Sequence, residues 1–206
     1  SGGRSGDAVV TGCGEGPMGL IDALREWESQ WRAAGGPIDE GLAPGLSEAE
    51  VRAVIDWIEP HPDLLTWFSW RGGNAPGVMW FNLPPTKTDQ LNLEGLLNWR
   101  RVLEAVVPMS AEVPYDPAWV PLLADDESRT ILMDQRTGEI LRFETLNEVD
   151  PRDPALRKVS DDLESLVRRW IRVNENTSLT WSQEDEVFEY DESKLAREDK
   201  QLGIVG

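Results

Sequence analysis

The chain contains only one cysteine and one histidine among its 206 residues. With Cys13 alone, no disulfide can form within the chain, and with His61 alone most histidine-based catalysis and most zinc sites are excluded. No stretch approaches the roughly 20 apolar residues that a membrane-spanning helix needs. We therefore expect no membrane protein, no enzyme, no metal site and no cofactor.

Basic residues are also scarce. Lys and Arg number 20, whereas Asp and Glu number 38, so the net charge is −18. Nucleic acids and anionic membrane surfaces repel such a charge, and neither is an expected partner. Tryptophan, in contrast, is abundant, with 10 residues. Tryptophan fills cores and dominates binding hot spots, and composition alone does not separate these two roles.

The two ends of the chain differ from its middle. Residues 1–18 are rich in glycine and lack the basic start and apolar run of a signal peptide, so we predict a flexible linker or cloning remnant that contains Cys13. Residues 19–206 are predicted to form a single cytoplasmic domain. From about residue 178 this domain continues into an acidic extension. Apolar side chains such as Phe188 are expected to pack at least part of this extension against the rest of the domain.

Apolar residues spaced three and four apart predict a series of amphipathic helices. Ser47 and Glu50 form a capping-box pattern at the start of one helix, and Asp63 is a candidate cap for the next. The predicted helices cover Leu20 to Trp31, the segment after Ser47, Asp63 to Trp70, Leu93 to about Val107, and a long segment from Leu156 to Val173.

Extended segments occupy the middle of the chain. A short apolar run predicts a strand over Val78–Phe81, after a turn-rich loop over Arg71–Gly77. Three further strands with short connections predict an antiparallel meander near 117–144, with a tight turn over Gln135–Gly138. This order predicts an α+β fold: a central antiparallel or mixed sheet, packed by N-terminal helices and a long C-terminal helix.

The stretch from Pro117 to Ile171 resembles the SUKH superfamily in its Smi/Knr-like branch. The resemblance is carried by a tryptophan-x-proline strand, an apolar strand that ends in aspartate, a glycine turn and a closing helix; the residues are Trp119, Pro121, Asp134 and Gly138. The upstream helix Leu64–Phe68, which runs into Gly72-Gly73-Asn74, is similar to a helix and loop of the family. The segment Ala124–Arg129 departs from the pattern because it lacks glycine, so its loop should differ in shape.

The resemblance implies a binding protein and no catalytic residues. Many bacterial members look like immunity proteins, which neutralise a cognate toxin domain, and fungal relatives are regulators that act through partners. In this chain we expect Trp119 to pack in the core of the sheet. We expect Asp134 and Gly138 to shape a hairpin turn.

An aromatic patch ringed by carboxylates is the expected binding surface, and a basic toxin domain is the expected partner. Five tryptophans fall on apolar faces and are predicted to be core: Trp27, Trp31, Trp57, Trp119 and Trp170. Five are less well explained, and some of them should lie at the surface: Trp67, Trp70, Trp80, Trp99 and Trp181. The predicted contacts are Trp67 and Trp70 with the Asp125, Asp126 and Glu127 loop, and as a second candidate Glu184, Asp185 and Glu186.

Two other functions stay open. A regulatory or scaffold module could use the same fold to bind a host protein that is not a toxin. An enzyme that works with carboxylates alone is also formally possible, with Asp125, Asp126 and Asp134 as candidates. Nothing in the sequence raises this third reading above the others.

Overall fold

Helices and a meandering sheet make up the residues that the structure, a computed structural model, describes: 19–78, 81–111, 113–125, 129–144 and 155–196. The predicted linker 1–18, with Cys13, lies outside these ranges, and so does Trp80 of the predicted strand Val78–Phe81. The helices are α1 (Leu20–Ala33), α2 (Ile38–Gly41), α3 (Glu48–Val54), α4 (Pro62–Trp70), α5 (Leu93–Ser110) and α6 (Leu163–Thr177), with a 3-10 turn at Glu192–Lys194.

Ten short strands lie between and after these helices. They are β1 (Leu42–Pro44), β2 (Arg71–Asn74), β3 (Asn82–Leu83), β4 (Thr88–Gln90), β5 (Trp119–Ala124), β6 (Arg129–Asp134), β7 (Ile140–Glu144), β8 (Leu156–Ser160), β9 (Thr180–Ser182) and β10 (Val187–Glu189). Strands β3 to β8 form one six-stranded sheet whose spatial order follows the chain, while β1–β2 and β9–β10 form two small sheets. Every pairing among the described strands is antiparallel, which confirms the α+β fold with a longer meander than predicted.

Local side-chain chemistry explains where several helices begin. The capping box at α3 is confirmed, since the Ser47 hydroxyl accepts from the Glu50 amide and the Glu50 carboxylate accepts from the Ser47 amide. At α4, however, the predicted cap Asp63 is wrong. The His61 ring nitrogen Nδ1 accepts from the Asp63 amide at 3.2 Å, and Pro62 occupies the first helical position, where its missing N–H costs nothing.

The predicted long helix from Leu156 is wrong in its first part. Residues Leu156–Ser160 form strand β8, which pairs with β7 so that Leu156 lies opposite Phe143. The helix α6 begins only at Leu163, because the Asp162 carboxylate accepts from the Ser165 amide at 2.6 Å and thereby caps its first turn. The apolar spacing therefore corresponds to a helix only for the residues that follow Asp162.

The turn between β6 and β7 has the expected chemistry. The Asp134 carboxylate accepts from the Arg136 amide at 2.9 Å, and the Asp134 carbonyl accepts from the Gly138 amide at 2.8 Å. Gly138 has φ +77°, which glycine adopts without steric cost. The prediction that Asp134 and Gly138 shape this turn is confirmed.

Trp119 and Pro121 lie on β5. Pro121 is buried next to a register shift, a position where a strand tolerates the missing N–H of proline. Trp119 is only partly buried. It packs edge-on against Tyr115, with ring centroids 6.0 Å apart, and against a smaller core cluster built on Leu103 and Val107 of α5.

The main core lies between the sheet and the helices α1, α4 and α6. Its centre is a group of five tryptophans: Trp27, Trp31, Trp67, Trp70 and Trp170. The Trp27 ring stacks on that of Trp170 with centroids 4.7 Å apart. The Trp27 indole N–H donates to the Pro84 carbonyl at 3.0 Å, which ties α1 to the turn between β3 and β4. None of the helices in the described ranges combines the length and the apolarity that crossing a bilayer requires.

The predicted loop at Arg71–Gly77 is wrong over its first four residues, which form strand β2 against β1. Gly73 lies in this strand with φ +96°, and a Cβ placed there would come within 2.4 Å of the Asn92 amide nitrogen. Two backbones therefore approach each other so closely that no side chain fits between them. This approach places Asn74 beside the junction of β4 and α5.

Replacing Gly73 should test this close approach. Gly77 is a matched control, since it has φ +85° but an added Cβ meets no atom within 4 Å. We expect Gly77→Ala to lower the free energy of unfolding by about 1 kcal/mol through backbone strain alone. Gly73→Ala should cost about 3 kcal/mol or more, because the backbone of β2 must also move. Urea unfolding monitored by tryptophan fluorescence measures both, and equal losses would contradict the close approach.

Replacing Asp162 should test the start of α6. We expect Asp162→Ala to lower the free energy of unfolding by about 1 kcal/mol, because the first turn loses its cap. Asp161→Ala is the control: Asp161 is exposed and its one ion pair within the described ranges is with Lys158, so the loss should stay below about 0.5 kcal/mol. Equal effects in urea unfolding would instead favour a helix that begins upstream.

Candidate functional site

The single histidine has a structural position. Its ring caps α4, and it also packs on Gly138, where an added Cβ would lie 3.1 Å from the ring of His61. Within the part of the chain that the structure describes, no three His, Cys, Asp or Glu side chains are grouped so that they could hold a metal ion. Two cavities formed by described residues are the candidate sites.

The predicted contacts Trp67 and Trp70 are wrong, because both side chains belong to the core. Trp67 is fully buried, and Trp70 is 8% exposed. Their rings lie 5.5 Å apart and pack around Trp27, and the Trp70 indole N–H donates to the Glu28 carboxylate at 2.8 Å. Helix α4 packs against α1, α3 and β2, and its aromatic residues are buried on this side of the helix.

An ion-pair network holds α1, α2 and β2 together. The Arg71 guanidinium donates to Glu28 at 2.6 Å and to Asp39 at 3.1 Å, and Arg32 donates to the same two carboxylates. Burial raises the pKa of Glu28, but the hydrogen bonds from Arg71 and Arg32 outweigh it, so that this pKa is lowered overall. Hydrogen bonds from Arg32 and Arg71 also hold the pKa of Asp39 well below its usual range. The network fixes the position of α2.

The first cavity lies beside α2 and has a volume of about 460 Å³. We call it the acidic aromatic cavity; it is lined by Pro37, Glu40, Gly41, Val78, Phe81, Trp181, Gln183 and Glu186. Phe81 and Trp181 supply its aromatic wall, with ring centroids 6.2 Å apart. A Cβ on Gly41 would lie 2.2 Å from the Phe81 ring, so only glycine lets that ring rest on the backbone of α2.

The acidic extension folds as a hairpin against α1 and the cavity. The Trp181 amide donates to the Ala34 carbonyl at 3.1 Å, and Phe188 is buried, as expected for a docked segment. The predicted contacts Glu184, Asp185 and Glu186 are all exposed in the turn between β9 and β10. Glu186 and Glu40 both line the cavity, and Glu186 has φ +54°, a conformation uncommon outside glycine. The turn thus brings carboxylates to the rim of an aromatic cavity.

The second cavity lies at the end of β4 and has a volume of about 370 Å³. We call it the acceptor cavity; it is lined by Asn74, Val78, Asp89, Gln90, Leu91, Asn92, Gly95, Trp99, Ala124 and Asp125. Val78 lines both cavities, so the two are neighbours. Two buried carbonyl oxygens at the acceptor cavity, Asn74 Oδ1 and Gln90 Oε1, have no hydrogen-bond donor.

The predicted loop after β5 contributes to this second cavity through one residue. Asp125 accepts from the Arg129 amide at 2.8 Å and from the Arg129 guanidinium at 2.7 Å, so it closes the turn between β5 and β6. Asp126 and Glu127 lie outside the described residues. The structure thus places Asp125 at the acceptor cavity, whereas Trp67 and Trp70 lie in the core.

Sequence reasoning missed most of the residues that line each cavity. Glu40 and Asn74 lie in segments that read only as glycine- and proline-rich loops, and Gln90 is a fully buried polar residue in a three-residue strand. The sequence does indicate a surface position for Trp181, because its neighbours along the chain are polar. No local pattern indicates that Phe81 and Trp181, one hundred residues apart, share a cavity.

No protein-family model matches the chain, and no curated protein matches it.

Replacing Arg71 should test the ion-pair network. The Arg71 side chain is only 13% exposed and that of Glu28 only 14%. We expect Arg71→Met to lower the free energy of unfolding at pH 7 by about 2 kcal/mol, because buried charge-assisted hydrogen bonds are lost. Arg25→Met is the control, since Arg25 is exposed and, among the described residues, forms an ion pair with Asp22 alone, at 3.7 Å; it should change stability by less than about 0.5 kcal/mol.

The same variant has a defined pH dependence. Carboxyls whose pKa is lowered in the folded state stabilise the protein above their unfolded pKa of about 4, and this stabilisation is lost as the pH falls toward the folded value. The difference between wild type and Arg71→Met should therefore shrink from pH 7 toward about pH 3. Urea unfolding at several pH values measures it, and a constant difference would show that Arg71 stabilises only by packing.

Proposed function

We propose that this chain is a protein-binding domain that takes a basic partner at the acidic aromatic cavity and acts as an immunity protein by occluding a toxin domain. The observation that carries the proposal is the cavity itself, in which Phe81 and Trp181 supply an aromatic wall and Glu40 and Glu186 supply carboxylates. Lys and Arg side chains match this arrangement, because aromatic faces attract cations and the carboxylates can accept their hydrogen bonds.

The charge of the whole chain supports the same partner. A net charge of −18 attracts a basic domain over a distance of about a Debye length and raises the association rate. Glu184 and Asp185 extend the negative rim beyond the cavity. Toxin domains that act on nucleic acids carry basic surfaces that grip phosphates, and covering such a surface requires no catalytic group on the inhibitor.

The resemblance of Trp119, Pro121, Asp134 and Gly138 to the SUKH superfamily is consistent with this role. The proposal includes a cytoplasmic location, the compartment in which a producing cell must neutralise such a toxin. A regulatory module that binds a basic host protein is the alternative occupant of the same surface.

The test begins with capture of partners at low salt from the native organism, followed by expression of the captured basic domain with and without this chain. The expected result is one basic domain that is toxic alone and harmless when the chain is present. Capture of acidic proteins only would contradict the proposal. A basic partner that is harmless alone would contradict the immunity role and favour the regulatory module.

Glu186→Gly separates binding from folding at this surface. Glycine relieves the positive φ of Glu186, so the free energy of unfolding should stay unchanged or rise by up to about 1 kcal/mol. Affinity for the captured domain should nevertheless fall by about tenfold, because one rim carboxylate is lost. Calorimetry and urea unfolding measure the two quantities.

Two matched variants serve as controls. Ser178→Gly relieves the same strain, at φ +59°, without removing a carboxylate. Asp56→Asn removes one exposed carboxylate in the connection between α3 and α4, away from either cavity lining. Both should bind within about twofold of wild type. If Asp56→Asn weakens binding as much as Glu186→Gly does, the partner senses net charge rather than this cavity.

A further inference from the structure

We infer that the acidic aromatic cavity binds a trimethylammonium group, which the ring of Trp181 and the carboxylates of Glu40 and Glu186 recognise together. The inference rests on the proposed function only in placing a cation in this cavity. The group has two sources to be distinguished by experiment: a free small molecule such as choline, or a trimethylated lysine of the basic partner.

The chain itself does not balance the charge of this cavity. Glu40 and Glu186 are its charged lining residues, and no Lys, Arg or His side chain lines it. Both side chains are exposed, so a ligand can reach their carboxylates. Among the described residues neither carboxylate forms an ion pair or a hydrogen bond. Two accessible carboxylates of this kind favour a cationic ligand.

The aromatic wall offers a second attraction for a cation. The Trp181 ring is only partly buried and lies beside the Phe81 ring, with centroids 6.2 Å apart. Another tryptophan already carries a cation of the chain, since the Arg100 guanidinium lies 3.7 Å from the centre of the Trp57 ring. No Lys or Arg of the described ranges lies over Trp181 in this way. A cation for this ring must therefore come from a ligand.

The inner part of the cavity offers few hydrogen-bond acceptors. Its polar side chains are Glu40, Gln183 and Glu186, and all three are exposed, whereas the remaining lining side chains carry no acceptor atom. Two of the lining carbonyls are already used. That of Pro37 accepts from the amides of Glu40 and Gly41, and that of Gly41 accepts from a loop amide.

A trimethylammonium group suits this arrangement better than other cations do. An alkylammonium or a guanidinium brings several N–H donors, which would lose water without gaining as many acceptors. A trimethylammonium group has no N–H, so it keeps its charge while its methyl groups contact the aromatic and aliphatic wall. A divalent metal ion needs more oxygen ligands than the two carboxylates supply, and the described residues contain no group of three His, Cys, Asp or Glu that could hold one.

Titration of the full chain with choline tests the site directly. Calorimetry at low salt should detect saturable binding of choline. Two analogues separate the features of the group: 3,3-dimethyl-1-butanol has the same shape without the charge, and ethanolamine has the charge without the methyl groups. Both should bind at least about tenfold more weakly than choline. Absence of saturable choline binding, or equal affinity for either analogue, would overturn the inference.

A matched pair of substitutions tests the carboxylates. Glu40→Gln removes a lining charge and should weaken choline binding by about threefold, since an exposed ion pair contributes little. Glu184→Gln is the control, because Glu184 is exposed in the same turn as Glu186 but does not line the cavity. It should bind choline with nearly the wild-type affinity. Equal weakening in both variants would show that choline senses net charge alone, and the inference would be wrong.

Two substitutions at Trp181 test the aromatic wall. Trp181→Phe keeps a ring and should bind choline within about threefold of wild type. Trp181→Leu keeps apolar bulk without a ring and should weaken binding by about tenfold. Equal affinities in the two variants would exclude recognition by the ring. Urea unfolding shows whether either variant is damaged, and the pair Glu40→Gln and Glu184→Gln decides the question if Trp181→Leu does not fold.

A peptide probe identifies the source of the group. Acetyl-Gly-trimethyllysyl-Gly-amide carries the group on a peptide backbone, and the same peptide without the methyl groups is its control. Binding of the methylated peptide as tight as that of choline identifies a trimethylated lysine of a partner, and binding of choline alone identifies a free small molecule; both support the site. Equal binding of the two peptides would contradict it.

The inference and the proposed function fail separately in these experiments. Neither probe involves the captured partner, so choline binding without any basic partner would contradict the proposed function and leave the inference standing. Capture of a basic toxin domain that depends on Glu186, without choline binding, would contradict only the inference.

Discussion

The stacking of Trp27 on Trp170 is the contact on which the rest of the structure depends. These rings join α1 to α6, and the same Trp27 packs against Trp31, Trp67 and Trp70 while its indole N–H binds the Pro84 carbonyl. Aromatic pairs of this kind add about 0.5–1.5 kcal/mol each beyond the area they bury. The Trp27 side chain of α1 therefore contacts α4, α6 and the turn between β3 and β4.

The position of α1 then determines both cavities. Glu28, one residue after Trp27, holds Arg71, and Arg71 holds Asp39 of α2 on one side and the Gln90 amide on the other. The acidic aromatic cavity lies beside α2, and the acceptor cavity lies where Gln90 ends β4. The positions of both cavities thus depend on Arg71, whose side chain is only 13% exposed. Its ion pairs and hydrogen bonds offset the cost of removing the guanidinium charge from water.

The sequence predicts the helices and strands better than it predicts the residues that form the candidate binding site. Apolar periodicity and capping residues such as Ser47 are local signals, so α1, α3, α5 and the meander are foreseeable from short windows. The strand at Leu156–Ser160 was misassigned because a helical spacing of apolar residues extends across the cap at Asp162. Trp67 was misassigned because α4 is apolar around most of its circumference, which indicates a buried helix rather than an exposed patch.

The cavities are harder to foresee because their residues come from segments far apart along the chain. The acidic turn at 184–186 could be predicted as exposed, and Trp181 as a surface aromatic residue. That Glu40 and Phe81 line the same cavity as Trp181 and Glu186 could not be predicted. The contacts that create these cavities are backbone approaches at Gly41 and Gly73, which depend on tertiary packing. A glycine in a loop carries no information about the ring or chain that lies against it.

The distribution of carboxylates connects stability with function. Glu28, Asp125 and Asp134 are paired with arginines and stabilise local structure. Even if each of the 20 basic residues paired with one carboxylate, 18 of the 38 would remain, and such a surplus destabilises the compact state by repulsion. A basic partner of the kind proposed above would remove part of this repulsion when it binds. It would stabilise the fold by mass action to the extent that it binds the folded chain more tightly than the unfolded one.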